Sequence, residues 1–502
     1  MLMKKNHFFT YSKMCMLSLI GAGGLLLASC AEDGYDDEAF NSGVNNTQVS
    51  DVSSDGIVIT PSNDGKSQTI TWPVVMGAGG YLVNLIDLGN PDSPVINDSI
   101  VDGCSVTAKR DEDVNYQITI LALGNDKKGN KDASNASVKK FSTFTPAYMT
   151  IPSGSDLKEW FTENPLPTDT TGMLNYDLEA GGIYTLSDTL DFNAQPITLR
   201  SNDKGNHATI NFKNEAFISF CSTFNFKYLD VDCAEQVISS ANHGIFAFSK
   251  DPSAAPLGTD IDAAKYKWAK PLIEKPVVFM DCNFRNVKSY FFWDNQKAVC
   301  AMTMLIDNCV AHFAPEKTFA GGVFWTNKGG HINELYITNS TFYEKPDCTG
   351  DYKYFYQAGM VRGEDIYADK SVATNTVSYT NSTFYHVTWN GGQWGNYNGM
   401  AGRSYSVWTM TDCIFVDCSP SGVARRFLHG KKNQNFVTFN NNTYMKADGT
   451  FQDITADGSH DYDLSGTTIE EDPLFANPDA GDFHISGATQ IARKTGDPRW
   501  LP

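Results

Sequence analysis

The sequence predicts an all-β chain, a seven-stranded β-sandwich followed by a right-handed parallel β-helix. Three observations carry that prediction. First, a unit of alternating strand, polar Asn/Asp corner and second strand opening on an aromatic recurs. Its copies are Val278–Phe284, Leu335–Phe342, Val377–Phe384, Trp408–Phe415 and Val437–Tyr444, with a degenerate copy at Met304–Val310 where Ala311 takes the aromatic slot. Second, residues 51–144 show short apolar runs of period two, Thr69–Trp72, Gly80–Leu85 and Tyr116–Ala122, split by turn residues. That is the pattern of strands with one buried face. Third, Ser153–Phe161 sets Ser155 and Asp156 before Leu157, Trp160 and Phe161, a short capped amphipathic helix.

The repeat decides the second architecture. Successive aromatic anchors lie 27 to 42 residues apart, within the range of stacked arrays. No helical period separates them, which excludes helical repeats, and the uneven spacing excludes a propeller. One coil per unit with the excess residues looping out is a parallel β-helix. Asn suits the corner because it tolerates left-handed backbone angles and can hydrogen-bond along a stack of like corners. Asp281, Asp307 and Asp412 recur near that corner and are read as ladder residues, not as a calcium cluster.

The elements follow in order. Residues 1–29 have a basic start (Lys4, Lys5, Lys13) and an apolar run from Met14 to Leu27, too short to span a membrane stably. The run ends Leu27-Ala28-Ser29-Cys30 and resembles the lipobox of bacterial lipoproteins, which implies lipidation at Cys30 and a mature chain that starts there. The cluster Ala31–Glu38 resembles the surface-export tag of lipoproteins from the Bacteroidota. Residues 30–50 are expected to form an acidic flexible stalk, 51–145 the sandwich and 146–502 the capped helix. Trp72 in an early strand and Tyr116-x-Ile-x-Ile-x-Ala in a late one resemble the fibronectin type III pattern, in which Trp72, Tyr81 and Tyr116 are core.

Composition narrows the partners. Loss of the signal leaves 36 basic side chains against 58 acidic ones, a balance of −22 with no basic stripe. No nucleic-acid partner is expected. Nine cysteines remain after Cys15 and Cys30, with no Cys-x-x-Cys pair and no zinc spacing. Cys282, Cys309 and Cys413 recur at like places in the repeat, as small buried side chains would.

Two segments between coils are rich in aromatics, Tyr352–Tyr356 and Trp389–Tyr405. In the second, Gly and Asn suggest a bendable loop, so Trp389, Trp394, Tyr397 and Tyr405 are candidates to stack on sugar rings. Arg403 would supply hydrogen bonds. Arg425 and Arg426, with His429, Lys431 and Lys432, form the densest basic cluster and could grip an acidic glycan. The Asn-x-x-Phe corners resemble pectate-lyase-like β-helices. With the helical cap and the tail Glu471–Phe475, Gly481–Ile485 and Gly496–Trp500, the chain resembles surface lipoproteins of polysaccharide-utilisation loci. That resemblance implies a lipid-anchored outer-membrane protein facing the exterior, a polysaccharide partner with acidic glycans among the candidates, and contact with glycan-importer components.

A second resemblance gives the alternative. Trp325–Asn333, Asn339–Phe342 and Gly359–Gly363 resemble part of the alginate and dermatan lyase pattern, which would make Lys328 the base and Arg362 the carboxylate partner. The acidic calcium ligands of that pattern are replaced here by Phe319–Phe324. The leading expectation is therefore a binder without catalysis or cofactor, with calcium entering only under the lyase reading. An adhesin or structural surface protein is a further alternative.

Overall fold

The computed structural model describes residues 44–62, 66–168, 172–240, 242–400, 402–428, 436–454 and 462–502. The signal segment, Cys30, the cluster 31–38, His429, Lys431 and Lys432 lie outside the described residues. The chain divides into two compact units, with the division between Thr143 and Phe144.

The first unit holds two antiparallel sheets among its described residues. One pairs Val58–Pro61, Ser67–Thr71 and Ser105–Lys109. The other orders Ile96–Val101, Ala78–Asp87, Asn115–Gly124 and Ser137–Ser142. Alternation sends Tyr81, Val83, Leu85, Tyr116, Ile118 and Ile120 into one core with Trp72. Each buried tyrosine satisfies its hydroxyl on backbone: Tyr81 accepts from the Val75 N–H at 2.8 Å and Tyr116 from the Asp111 N–H at 3.0 Å. These aromatics are structural. Residues 44–50, which the sequence reading assigned to the stalk, pack on this unit. The Asn46 N–H donates to Lys128 O at 2.9 Å, the Val49 N–H to Lys131 O at 3.0 Å, and Val49 is buried. An isolated bridge of this kind, Gln48 with Lys131, leaves no alternation in the sequence to read.

The second unit is a right-handed parallel β-helix with three sheets, called A, B and C in the order the chain visits them on each coil. Sheet A stacks ten strands from Met149–Ile151 to Phe436–Asn440, with Leu272–Ile273 beside Cys300–Asp307. Sheet B stacks nine, from Ile183–Leu186 to Thr443–Met445, and sheet C seven, from Leu190–Asp191 to Gln393–Asn396. Every pairing between these strands is parallel, and the register shifts only between Phe284 and Val287 and between Phe319 and Gly322 among the described residues, so like residues stack in columns. One column in sheet A runs Leu199, Phe226, Phe279, Ile306, Ile337, Tyr379, Met410. In sheet B the repeat aromatics stack: Phe342 on Phe384 at 5.8 Å, Phe384 on Phe415 at 4.8 Å, Phe415 on Tyr444 at 5.5 Å. Where Ala311 breaks this stack, Phe291 from sheet C fills the space and meets Phe284 at 5.0 Å and Phe342 at 6.3 Å.

The corner from A to B is tight and repetitive. Asp281, Asn308, Asn339, Asn381, Asp412 and Asn441 all have positive φ, between 46° and 56°. The first five donate their N–H to the carbonyl ending the next strand of sheet A, Asp281 to Asp307 O at 2.9 Å and Asp412 to Asn440 O at 2.8 Å, and Asn441, after the last strand, donates to Thr467 Oγ1 at 2.9 Å. Asp307 is thus not a corner residue, since Asn308 is. Its carboxylate instead accepts from the next corner, Asn339, at 2.8 Å. The residue after the corner turns its side chain onto the carbonyl two positions back. Ser340 and Ser382 do so by hydroxyl at 2.6 and 2.7 Å, and Cys282, Cys309 and Cys413 by thiol at 3.2 to 3.3 Å. These three cysteines are buried, and all nine described cysteines are unpaired.

Both ends of the coil stack and one face are covered. Asp156 caps the helix Leu157–Glu163 by accepting from the Lys158 and Glu159 N–H groups at 2.9 and 3.2 Å. The helix lays Phe161 on Tyr176 and Phe192. At the far end the short helix Val423–Phe427 replaces the next sheet-C strand and buries Phe427 against Tyr379 and Trp408. The C-terminal tail then runs back over the outside of sheet B. There the Trp500 indole donates to Thr341 Oγ1 at 2.8 Å and Arg499 to Asn308 Oδ1 at 2.6 Å.

Candidate functional site

The loop read as a sugar platform is a strand. Gln393–Asn396 is the last strand of sheet C, and Trp394 lies flat on Phe355 at 4.4 Å with full burial. Tyr397 is equally buried and packs on Trp408 at 4.8 Å. Neither ring can reach a glycan. The glycine content that suggested a loop has a packing cause: a Cβ on Gly395 would sit 2.3 Å from the Tyr397 ring. Tyr352–Tyr356 likewise lies within a sheet-C strand, Tyr352–Ala358, with only Lys353 of the five exposed.

Arg362, Arg403 and Tyr405 do come together, at the corner from C to A, around a residue that sequence reasoning missed. Glu364 receives Arg362 Nη1 at 3.5 Å and Arg403 Nη1 at 3.4 Å on one oxygen, and Lys370 Nζ at 3.4 Å on the other. Tyr405 accepts from the Glu364 N–H at 3.4 Å. Desolvation acts to raise the Glu364 carboxyl, but Lys370, Arg403 and Arg362 together hold it below its ordinary range. With Asp365 and Asp369 on the same turn, the group is a balanced ion cluster rather than an open anion site. Lys328 occupies the same corner one coil earlier: Thr326 pairs with Ala358, so Lys328 and Arg362 follow that pair by two and four residues. Lys328 is exposed, with its ammonium 5.8 Å above the Trp325 ring, whereas Arg362 is committed to Glu364.

Sheet C carries a different surface. A shallow cleft of about 230 Å³ is lined by Thr318, Phe319, Ala320, Tyr352, Lys353 and the turn Asn390–Gly392. The Lys353 ammonium lies 5.6 Å above the Tyr354 ring. Beside Tyr354 sits Arg426, on the closing helix. Burial and then the like charge of Arg425 push its guanidinium below the usual range. Among the described residues no carboxylate pairs with Arg426, and its Nε meets no hydrogen-bond partner. A half-buried cation with no counter-ion among the described residues, beside an aromatic ring, can accept an external anion or a row of hydroxyls.

Beneath the cleft wall lies a polar cell. Asp351 accepts from the Tyr352 N–H at 2.6 Å and from the Asn390 N–H at 2.7 Å. Burial pushes its carboxyl up to about 6, against the opposing pull of those amides and of His386. Glu344, fully buried beside it, is pushed well above its ordinary range, by burial first and by Asp351 next. Among the described residues His386 Nε2 and Thr388 Oγ1 find no partner, and the Trp389 indole N–H is near enough to the Glu344 carboxyl to oppose its rise without reaching full hydrogen-bond geometry. Trp389 is half-buried and stacks on His386 at 4.6 Å, so it belongs to this cell and not to a free platform. His386 Nδ1 is held by Asp417 at 2.5 Å. Among the described residues no group of three or more His, Cys, Asp or Glu could hold a metal ion.

Three family models match the chain, each described as a domain of unknown function. DUF4992 covers residues 3–185, DUF4957 residues 182–345 and DUF5123 residues 326–500. The chain is also similar to a crystal structure of a pectate lyase from Erwinia chrysanthemi in complex with tetragalacturonic acid. That match has 10% sequence identity and a TM-score of 0.20, and covers 84% of this chain and 96% of the other. No curated protein matches.

Proposed function

We propose that this is a cell-surface polysaccharide-binding protein, held at the outer membrane by lipid on Cys30, that captures glycan on the sheet-C face of its β-helix. The observation that carries the reading is Arg426: a half-buried guanidinium with no carboxylate partner among the described residues, set beside Tyr354, the neighbour in sequence of the cleft residue Lys353. A carboxylate or hydroxyl-rich sugar supplies what that cation lacks, and the adjoining rings supply an apolar face. Acidic polysaccharides fit best. The lipobox-like Leu27–Cys30 and the acidic cluster after it support the location.

The test is affinity electrophoresis over a panel of acidic and neutral polysaccharides, with product analysis on the same samples. Arg426→Ala and Lys353→Ala should each weaken capture of an acidic polymer by about 1.5–3 kcal/mol, the size of a hydrogen bond to a charged group. Trp394→Ala is not a binding test, because that ring is core. Retention of no polymer by the wild type overturns the proposal. A second reading, a uronate lyase, is favoured by Lys328 and Arg362 sharing one corner on successive coils. Unsaturated product that disappears in Lys328→Ala would establish it instead.

A further inference from the structure

The outer face of sheet A carries the electrostatic opposite of Arg426. The strands Cys300–Asp307, His331–Thr338 and Asn375–Thr380 lie side by side there. Met304, Leu335 and Ile337 enter the core, so alternation sends Thr303, Glu334 and Tyr336 outward. Thr303, Glu334 and Thr376 stand in register on successive coils. Glu334 is half-buried. One of its oxygens accepts from Thr303 Oγ1 at 3.3 Å and lies 3.5 Å from the Tyr336 hydroxyl. The other oxygen accepts nothing among the described residues, and no cation among them acts on the group: burial raises its carboxyl, opposed only by the Thr303 and Tyr336 hydroxyls.

A wall stands beside it. Two segments, joined by an antiparallel bridge between Tyr266 and Tyr367, pack over Cys300 and Met302. The Lys267 N–H donates to Ile366 O and the Ala368 N–H to Lys265 O, both at 2.9 Å. The bridge sets the two tyrosine rings 5.9 Å apart, and each has a glutamate for a neighbour. The first pair is complete. Tyr266 donates to Glu274 Oε1 at 3.2 Å, and the Lys265 ammonium meets the same oxygen at 3.1 Å while lying 4.8 Å above the Tyr266 ring. The second pair lacks its cation. Tyr367 is 9% exposed, yet its hydroxyl has no hydrogen-bond partner among the described residues. Burial pushes that hydroxyl up to about 12, and Glu334 is the charge that adds most to the rise. We propose that Glu334, Tyr336 and Tyr367 form a second binding site, on sheet A, for a glycan that carries primary ammonium groups. The ligand ammonium takes the place at Glu334 that Lys265 takes at Glu274: it donates to the free carboxylate oxygen and meets the tyrosine faces. Two carboxylates are too few for a metal ion, and among the described residues no larger group could hold one. The chain's excess of acidic groups draws cations to this face and does not compete with them. The site goes beyond the sheet-C reading and does not depend on it.

The experiment is titration calorimetry on the full chain near neutral pH with two probes, the glucosamine tetramer and its fully N-acetylated counterpart. They share a backbone and differ in charge. The glucosamine tetramer should bind about tenfold more tightly or better, because a hydrogen bond between charged groups replaces a neutral one. Glu334→Gln keeps the shape, removes the charge and should weaken that binding by about tenfold or more. Tyr367→Phe removes only the hydroxyl and should weaken it about threefold. Glu159→Gln, at an exposed acid of the capping helix, and Arg426→Ala on sheet C should change nothing. No binding of the glucosamine tetramer overturns the proposal. So does equal affinity for the two probes, because the site then reads hydroxyls and not charge. A loss in Glu159→Gln as large as in Glu334→Gln overturns it too, since the general negative charge would then hold the probe. If Glu334→Gln fails to fold, Tyr367→Phe decides, and binding unchanged in that variant places the ligand elsewhere and overturns the proposal. Retention of polygalacturonate should be the same in Glu334→Gln and the wild type, so the sheet-C reading and this one fail separately.

Discussion

At the A–B corner of the six coils from Asp281 to Asn441, a left-handed Asn or Asp forms the turn, and a Ser, Cys or Asn behind it turns inward. At the B–C corner, three successive coils carry Glu344, His386 and Asp417, with an insertion at 345–350 and a wandering turn at 388–392. Both corners bound the same strands of sheet B, so the difference is not imposed by the architecture. The first is satisfied: Asp281, Asp307 and Asp412 accept from Asn308, Asn339 and Asn441 at 3.0, 2.8 and 2.9 Å. The second is not: among the described residues its unpartnered atoms gather near the cleft edged by Lys353. Repetition here serves stability, and departure from it marks where chemistry has been placed at stability's expense.

The sharpest way to break that comparison is to remove stacking from the repetitive side. Phe384→Ala deletes a ring that touches Phe342 at 5.8 Å and Phe415 at 4.8 Å. It leaves a cavity in a column whose neighbours are fixed by register. Denaturant unfolding of the second unit should show a loss of about 3–5 kcal/mol. A loss under about 1 kcal/mol would mean that the stack relaxes freely, and the repetitive corner would lose its role as the rigid side.

The irregular side should respond in the opposite direction. A carboxyl whose pKa is raised by folding keeps a proton that the unfolded chain releases above about pH 4.3. Stability therefore falls as pH rises through the interval between the two values. Glu344→Gln keeps the shape and removes the titration. The variant should match the wild type near pH 4 and become more stable than it as pH rises, by about 1–3 kcal/mol at pH 8. Chemical unfolding at the two pH values checks this, and an equal difference at both would show that Glu344 titrates alike in the folded and unfolded chain.

The repeat was legible because its period-two alternation and its Asn corners are local. Asp156 announced its helix, and Cys282, Cys309 and Cys413 announced themselves as small corner residues. Trp394 and Tyr397 were not legible. Gly391, Gly392 and Gly395 signal a loop in sequence, whereas Gly392 and Gly395 are crowded on all sides; only packing tells those cases apart. Arg426 was found for its charge, but its place beside Tyr354, 72 positions away in the chain, is set by the fold. Glu344 left a trace that a stricter alignment of the repeat would have caught. Thr341-Phe-Tyr-Glu344 and Thr383-Phe-Tyr-His386 place titratable residues in one column. Asp351 left none, because its role is carried by backbone amides from two segments.

The smallest expected effect tests why the regular corner uses Asn at all. Asn339 has φ of 48° and donates its side-chain amide to Asp307 at 2.8 Å. Two contributions are present and separable. Glycine adopts the left-handed angle freely but loses the side-chain bond, so Asn339→Gly should cost about 1 kcal/mol. Alanine loses the same bond and is strained by about 1–2 kcal/mol at that angle, so Asn339→Ala should cost about 2 kcal/mol or slightly more. Asp307 keeps a second donor, the Thr338 hydroxyl at 2.7 Å, so neither change leaves it without a partner. The ranking is the decisive result. If alanine and glycine cost the same, the ladder bond and not the backbone angle selects Asn, and the corner would tolerate any short donor. If glycine is neutral, the angle alone decides, and the Asn–Asp ladder along the coil stack contributes nothing to holding it together.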